Sequence, residues 1–188
     1  MKKLILVATV GLFLTVVPSL RATDVSMAIS GPGAVNDSTI KAGKKVSVDI
    51  YWANDHQPMG FTTGFKITSD NIKRIIHPAD SGNGINPRGD VKGYNGWQDR
   101  SIWDLGGVFV VTRNWDGELP DTIGFGGAVV KKRYKPHPKQ KVLSFDIIVP
   151  DTGTIVIDSS FFPPGGYWKF GPKGHPTWAG PYKFHVIK

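Results

Sequence analysis

The chain has 188 residues, a formal net charge of +8, 23 Gly, 14 Pro and no Cys. The mild basic excess is no nucleic-acid signature by itself, and the absence of Cys excludes disulfides and thiol chemistry. The many glycines and prolines, with little helical periodicity, predict short strands and many turns.

The first 22 residues have the pattern of an export signal. Lys2 and Lys3 precede an apolar run over residues 4–17, and a small residue for cleavage closes the segment. These are the regions of a secretory signal peptide, and the run is short for a membrane span of roughly 20 residues. We therefore expect a signal peptide over 1–22 and one domain over 23–188, secreted to the extracellular space, the cell surface or the periplasm, with no later membrane span.

Strands are expected early in that domain. Hydrophobic residues alternate with polar ones over residues 25–30, 46–52 and 61–67, the pattern of strands with one buried face. The last two runs are joined by the polar segment 54–58, which has turn chemistry. We therefore expect 46–52 and 61–67 to pair as antiparallel neighbours with one wet and one dry face.

Later strands have the same pattern and are expected at residues 71–77 (a short strand or turn edge), 107–111, 122–130, 143–149, 155–157 and 182–186. Between them lie a long loop over 79–105, a basic connector over 131–141 and an aromatic segment over 161–180. About eight or nine strands, with no helix and no repeat, predict an all-β fold. The expected architecture is an antiparallel two-sheet β-sandwich.

Four stretches resemble a cohesin-type domain. Residues 42–52 (Ala-Gly-Lys-Lys-Val-Ser-Val-Asp-Ile-Tyr-Trp) resemble the family's A-G-x-x-V-x-V-x-V strand, and residues 60–67 (Gly-Phe-Thr-Thr-Gly-Phe-Lys-Ile) resemble the following G-f-x-f-x-l strand. Residues 69–76 and 141–150 are similar to a later hydrophobic segment and a late strand. The resemblance implies a nine-stranded jelly-roll sandwich, which cohesins share with several cellulose-binding modules.

Aromatic residues near the end of the chain are the candidate ligand-binding platform. The candidates are Tyr167, Trp168, Trp178 and Tyr182, in a stretch rich in Gly and Pro. Aromatic rings exposed on rigid loops can stack on sugar rings or on an apolar patch of a protein partner. The alternative is that these rings fold back and cover the open end of the sandwich.

Oxygen-bearing side chains in the long loop are candidate calcium ligands. They are Asp80, Asn83, Asn86 and Asp90, at short and irregular spacing in a Gly-rich stretch. Calcium takes six to eight oxygen ligands, so a structural calcium ion is the one cofactor considered. The alternative is ordinary turn formation by Asn and Asp.

Basic residues cluster in the connector that precedes the late strand. Lys131, Lys132, Arg133 and Lys135 form a patch stiffened by neighbouring prolines. Such a patch can attract an acidic polysaccharide or an acidic partner. The alternative is a solvated hairpin connection whose lysines discourage aggregation of sheet edges.

No catalytic motif supports an enzyme. Glycoside hydrolysis usually needs two carboxylates that face one bond, and the chain has one Glu, Glu118, in a turn with Asp116 and Asp121. We therefore expect a secreted non-catalytic module that recognises a polysaccharide or a protein partner at the cell surface. The alternatives are a structural subunit of a surface layer or filament, in which an edge strand docks on the next copy, and a hydrolase built around Glu118. No nucleic-acid partner is expected, and the oligomeric state is left open.

Overall fold

The computed structural model of the chain describes residues 23–55, 60–78, 105–114, 116–129, 136–160, 168–171 and 175–188. These ranges hold twelve strands: β1 (Thr23–Ser30), β2 (Ala34–Asn36), β3 (Thr39–Lys41), β4 (Lys45–Asn54), β5 (Gly60–Thr68), β6 (Leu105–Asn114), β7 (Asp121–Val129), β8 (His137–Ile148), β9 (Gly153–Ser159), β10 (Lys169–Gly171), β11 (Thr177–Trp178) and β12 (Tyr182–Ile187). Over the same ranges, no helix is long and apolar enough to cross a membrane.

The strands form two sheets. The smaller sheet has four strands in the order β11-β1-β4-β8, and the larger has eight, in the order β2-β3-β12-β9-β5-β7-β6 with β10 also paired to β5. The expected all-β two-sheet sandwich is confirmed. Its sheets are mixed, because β1 pairs with β11 and β12 pairs with β3 in parallel. Parallel neighbours cannot be joined by a tight hairpin, and both of these pairs join strands from opposite ends of the chain.

The core lies between the two sheets, since alternate side chains of each strand point inward. Its residues with no exposed surface come from both layers and include Val25, Ile40, Val46, Val48, Ile50, Phe65, Ile67, Ile123, Phe125, Ile147, Val149, Ile155 and Ile157. The alternation read from the sequence therefore identified the buried face of the main strands correctly.

The expected pairing of the two central strands was wrong. Strand β4 pairs with β1 and β8 in the smaller sheet, whereas β5 pairs with β7, β9 and β10 in the larger one. Trp52 near the end of β4 meets Phe61 at the start of β5 across the core, with ring centroids 4.8 Å apart. An alternating pattern shows which face is buried, but it has the same form whether the next strand pairs beside it or crosses to the facing sheet.

Most later strands were predicted near their observed places. The structure adds the short strands β2, β3, β10 and β11, so twelve strands replace the expected eight or nine. Strand β8 begins at His137, and residues 137–141 of the expected basic connector are therefore part of the smaller sheet. Two- and three-residue strands have too few positions for an alternation to be detected.

Residues 69–78 connect the two layers at one open side of the sandwich. Ile76 forms a bridge with Ile148 of the smaller sheet, and Arg74 forms one with Glu118, just before β7 of the larger sheet. His77 Nε2 lies 2.6 Å from Asp121 Oδ2, and Asp121 has no exposed surface. The segment expected as a short strand or turn edge thus connects the two sheets through backbone bridges.

Candidate functional site

Three of the four predicted platform residues are brought together in space. The ring centroids of Trp168 and Trp178 lie 5.4 Å apart, and those of Trp178 and Tyr182 lie 5.2 Å apart. These three rings, called the aromatic cluster below, come from residue 168, β11 and β12. Tyr167 lies outside the described residues.

The aromatic cluster packs against the core. The rings of Trp168 and Trp178 lie 5.2 and 5.6 Å from the fully buried ring of Phe65. The indole N–H of Trp168 donates to the carbonyl oxygens of Gly64 and Ser160, at 3.1 and 3.0 Å. All three rings of the cluster are half-buried and pack against the core, which agrees with the alternative in which they fold back onto the sandwich. Stacking of a ligand on their remaining exposed parts stays a prediction.

Trp178 is held in place on two sides. Its indole N–H donates to Asp158 Oδ1 at 2.8 Å, and the backbone of Gly180 lies against its ring. A Cβ atom at position 180 would stand 2.5 Å from Trp178 Cε2, closer than van der Waals contact allows. The glycine is therefore required for the ring to occupy this position.

The outer face of the smaller sheet, which points away from the core, carries paired charges. Asp49 is 3% exposed; its carboxylate accepts a hydrogen bond from Ser30 Oγ at 2.7 Å and lies 3.4 Å from Lys141 Nζ. Lys45 Nζ lies 3.3 Å from Asp146 Oδ2. Acids and bases on neighbouring strands thus neutralise each other on this face.

The outer face of the larger sheet carries lysines instead. Lys41, Lys66, Lys169 and Lys183 alternate with residues that point inward, and all four are exposed. Among the residues that the structure describes, none of these lysines forms an ion pair with Asp or Glu. Asp158 occupies the position directly opposite Lys66, but its Oδ1 atom accepts from Trp178.

An open polar groove crosses part of this face. It has a volume of about 400 Å³ and is formed by Thr68 at the end of β5, by residues 69–71 after it, by the start of β9 and by Lys183 of β12. Ser69 Oγ donates to the carbonyl of Thr154 at 2.6 Å, and Thr154 N donates to Asn71 Oδ1 at 3.3 Å. These bonds hold residues 69–71 against the start of β9.

The other predicted binding residues lie outside the described residues. These are the calcium candidates Asp80, Asn83, Asn86 and Asp90 and the basic patch Lys131, Lys132, Arg133 and Lys135. In the part of the chain that the structure describes, no three His, Cys, Asp or Glu side chains come close enough to hold a metal ion.

The acids around Glu118 differ in exposure and in hydrogen-bond partners. Glu118 and Asp116 are exposed in the turn before β7, and the amide of Glu118 donates to Asp116 Oδ1 at 2.9 Å. Asp121 is fully buried, where its carboxylate accepts from Gly117 N at 3.1 Å and contacts His77. These hydrogen bonds serve to shape the turn.

The unpaired lysines and the Asp49 network were not singled out from the sequence. A signal for the lysines was present: Lys66 alternates with Phe65 and Ile67, and Lys183 alternates with Tyr182 and Phe184, so both occupy positions that point to solvent. Whether an outward charge finds a partner depends on strands far apart in the sequence, and no local signal reports it.

The architecture is similar to that of solved cohesins. The second type II cohesin module of the ScaA adaptor scaffoldin of Acetivibrio cellulolyticus matches with a TM-score of 0.53 and 10% identity, over 90% of this chain and 99% of that chain. A type II cohesin domain from the cellulosome of the same organism matches with a TM-score of 0.54 and 11% identity, over 87% and 95%. The cohesin–X-dockerin complex from that organism gives a TM-score of 0.51 and 10% identity, over 88% and 99%.

Comparison at the level of sequence gives no match. No protein-family model matches the chain, and no curated protein matches it. The structural likeness at about 10% identity establishes a cohesin-like fold, which is the fold that the resemblance in residues 42–52 and 60–67 implied.

Proposed function

We propose that the chain is a secreted, non-catalytic module that binds a protein partner through the outer face of its larger sheet. The observation that carries this proposal is the contrast in charge between the two outer faces. Lys45 and Lys141 of the smaller sheet are paired with acids, whereas Lys41, Lys66 and Lys183 of the larger sheet are exposed and form no ion pair among the described residues. Unpaired charges on a sheet face are free to contact a partner without first breaking an internal bond.

A protein partner is favoured over a polysaccharide by two observations. One solved protein of the same fold is a type II cohesin in complex with an X-dockerin module. In this chain, Trp168 and Trp178 pack against Phe65 with their N–H groups bonded internally, so less of each ring is left to stack on a sugar. Both observations favour recognition of a protein surface.

The arrangement of acids favours a role without catalysis. A hydrolase needs an acid and a base on either side of one substrate bond. Asp121 is buried against His77, while Glu118 is exposed in a turn, so these two acids do not converge on one point. Secretion is supported by the pattern of residues 1–22.

The proposal is tested by affinity purification from extracellular extract of the source organism with the immobilised protein. A larger-face variant, Lys66→Glu with Thr122→Glu, is compared with a smaller-face variant, Lys45→Glu with Ser26→Glu, because both change the net charge by the same amount. We expect a partner protein that is retained by the wild type and the smaller-face variant and is lost with the larger-face variant, and that binds again when purified.

Two results would overturn the proposal. One is retention of a polysaccharide that survives protease treatment of the extract, with no protein retained. The other is loss of the partner only with the smaller-face variant, which would place the binding surface on the opposite sheet.

A further inference from the structure

One region of the larger outer face combines cations, an exposed apolar side chain and the groove. Strand register places its residues on a grid: Lys41 is opposite Ile187, and Lys183 is opposite Val156. On the next strand, Val156 is opposite Thr68. Neighbouring strands lie about 4.8 Å apart, so the side chains within each row are adjacent. The two rows are four residues apart along β12, about 13 Å, and exposed His185 lies between them on the same face. The surface formed by the two rows is called the lysine grid below.

The lysine grid has the make-up of a binding surface. Ile187 is 45% exposed, one of three large hydrophobic residues in the described ranges with so much exposed surface. An apolar centre with a polar rim is typical of protein interfaces. The rim here is basic, because Lys41 and Lys183 are exposed and form no ion pair with any described acid.

The groove beside Lys183 is lined by groups that can donate to a carboxylate. Its lining includes Thr68, Thr154 and Lys183. A hydroxyl and an ammonium group are both hydrogen-bond donors, and charge-assisted bonds to a carboxylate are the stronger kind. Ser69 and Asn71 are already bonded to the backbone of Thr154, which leaves Lys183 and the threonine hydroxyls to receive a ligand.

The groove also has a negatively charged residue in its lining. Asp70 is exposed and lines the same groove as Lys183. It repels an incoming carboxylate and therefore lowers the affinity of the site for acids. Replacing Asp70 by the neutral and similarly shaped Asn should therefore raise the affinity for a carboxylate, whereas removing a lysine should lower it.

We propose that the lysine grid docks an acidic segment of the partner protein, with one Asp or Glu side chain entering the groove to meet Lys183. This inference rests on the proposed function, because it assumes that the binding partner is a protein. It adds the chemical class of the recognised surface and places that surface on β12 and its neighbours β3 and β9.

The test measures fluorescence anisotropy of a labelled oligo-glutamate peptide with the secreted protein at low salt. We expect Lys183→Glu to weaken binding about tenfold, and added salt to weaken it further because exposed charges are screened. We expect Asp70→Asn to tighten binding by about two- to threefold, since a like charge is removed. Thermal unfolding of each variant is measured beside the wild type, and both positions are exposed, so the melting temperature is expected to stay unchanged.

The matched control is Lys45→Glu, which changes the net charge equally on the smaller sheet, where Lys45 is paired with Asp146. We expect Lys45→Glu to change the affinity for the oligo-glutamate peptide by less than twofold. Equal loss with Lys45→Glu and Lys183→Glu would overturn the inference, since binding would then follow net charge alone. Binding of sulfated dextran with no binding of oligo-glutamate would also overturn it. A natural partner that stays bound to Lys183→Glu would refute the lysine grid and leave the proposed function intact.

Discussion

Among the described residues, lysines are paired with acids on the outer face of the smaller sheet and are unpaired on that of the larger sheet. On the smaller sheet, Asp49 and Asp146 lie within ion-pair distance of Lys141 and Lys45. On the larger sheet, the outward lysines have no such partner among the described residues. The two faces have the same strand geometry, so the difference comes from where the acids stand and what they contact.

Asp158 shows how the difference arises. It stands directly opposite Lys66 in the register of β5 and β9, a position from which opposite charges usually attract. Its Oδ1 atom instead accepts from the indole N–H of Trp178 and from the backbone of Ser159. The Trp178 side chain thus holds Asp158 by a hydrogen bond, and Asp158 forms no ion pair with a described lysine. This bond links the aromatic cluster to the charge of the larger face.

The largest effect is expected from Trp178→Ala, which breaks that link. Loss of a large, half-buried ring is expected to lower the free energy of unfolding by about 2–3 kcal/mol. The freed Asp158 is then expected to approach Lys66 and weaken the binding of acidic peptides. Urea unfolding followed by circular dichroism measures the first effect, and Thr177→Ala, an exposed neighbour in the same strand, is the control that should change little.

The second largest effect is expected on the smaller face. Asp49→Ala removes a buried carboxylate that bonds Ser30 and pairs with Lys141, and we expect a loss of about 2 kcal/mol in unfolding free energy. Lys66→Ala on the larger face is the matched comparison and is expected to stay within about 0.5 kcal/mol of the wild type. Equal losses for the two variants would show that the faces do not differ as described.

A smaller effect is expected from Lys141→Met, which keeps most of the side-chain stem and removes the charge. Asp49 then retains Ser30 but loses its cation. Because the Lys141 side chain is 31% exposed, water screens the pair, and we expect a cost of about 1 kcal/mol. Lys183→Met is the control. A stabilising effect of Lys141→Met in urea unfolding would contradict the role given to the pair.

The smallest effect is expected from Lys45→Ala. Its side chain is 46% exposed, and exposed ion pairs contribute about 0–1 kcal/mol. We expect less than about 0.5 kcal/mol in urea unfolding, and the effect should vanish at high salt. A loss that persists at high salt would mean that Lys45 stabilises the sheet through packing.

Much of the fold could be predicted from residue patterns, and much of the candidate site could not. The alternation around Val48, Phe65 and Phe184 predicted strands and their buried faces, because side chains of a strand alternate between two faces whatever lies beside it. The residue pattern identified Trp168 and Trp178 as candidates, but it left open whether their rings face a ligand or fold back onto the sandwich. Their direction depends on contacts with Gly64 and Phe65 of β5, which precede Trp168 by 104 and 103 positions, and no local pattern reports such contacts.

The sequence by itself determined the class of fold, the absence of disulfides and the face of each main strand that meets water, since all three follow from composition and from local backbone geometry. Only the tertiary structure decided which sheet each strand joins and which outward charges are paired. The Ser47–Asp146 and Asp49–Lys141 contacts join residues 99 and 92 positions apart. Pairing at such separations is set by packing of the whole chain, because a strand has the same local pattern beside any neighbour.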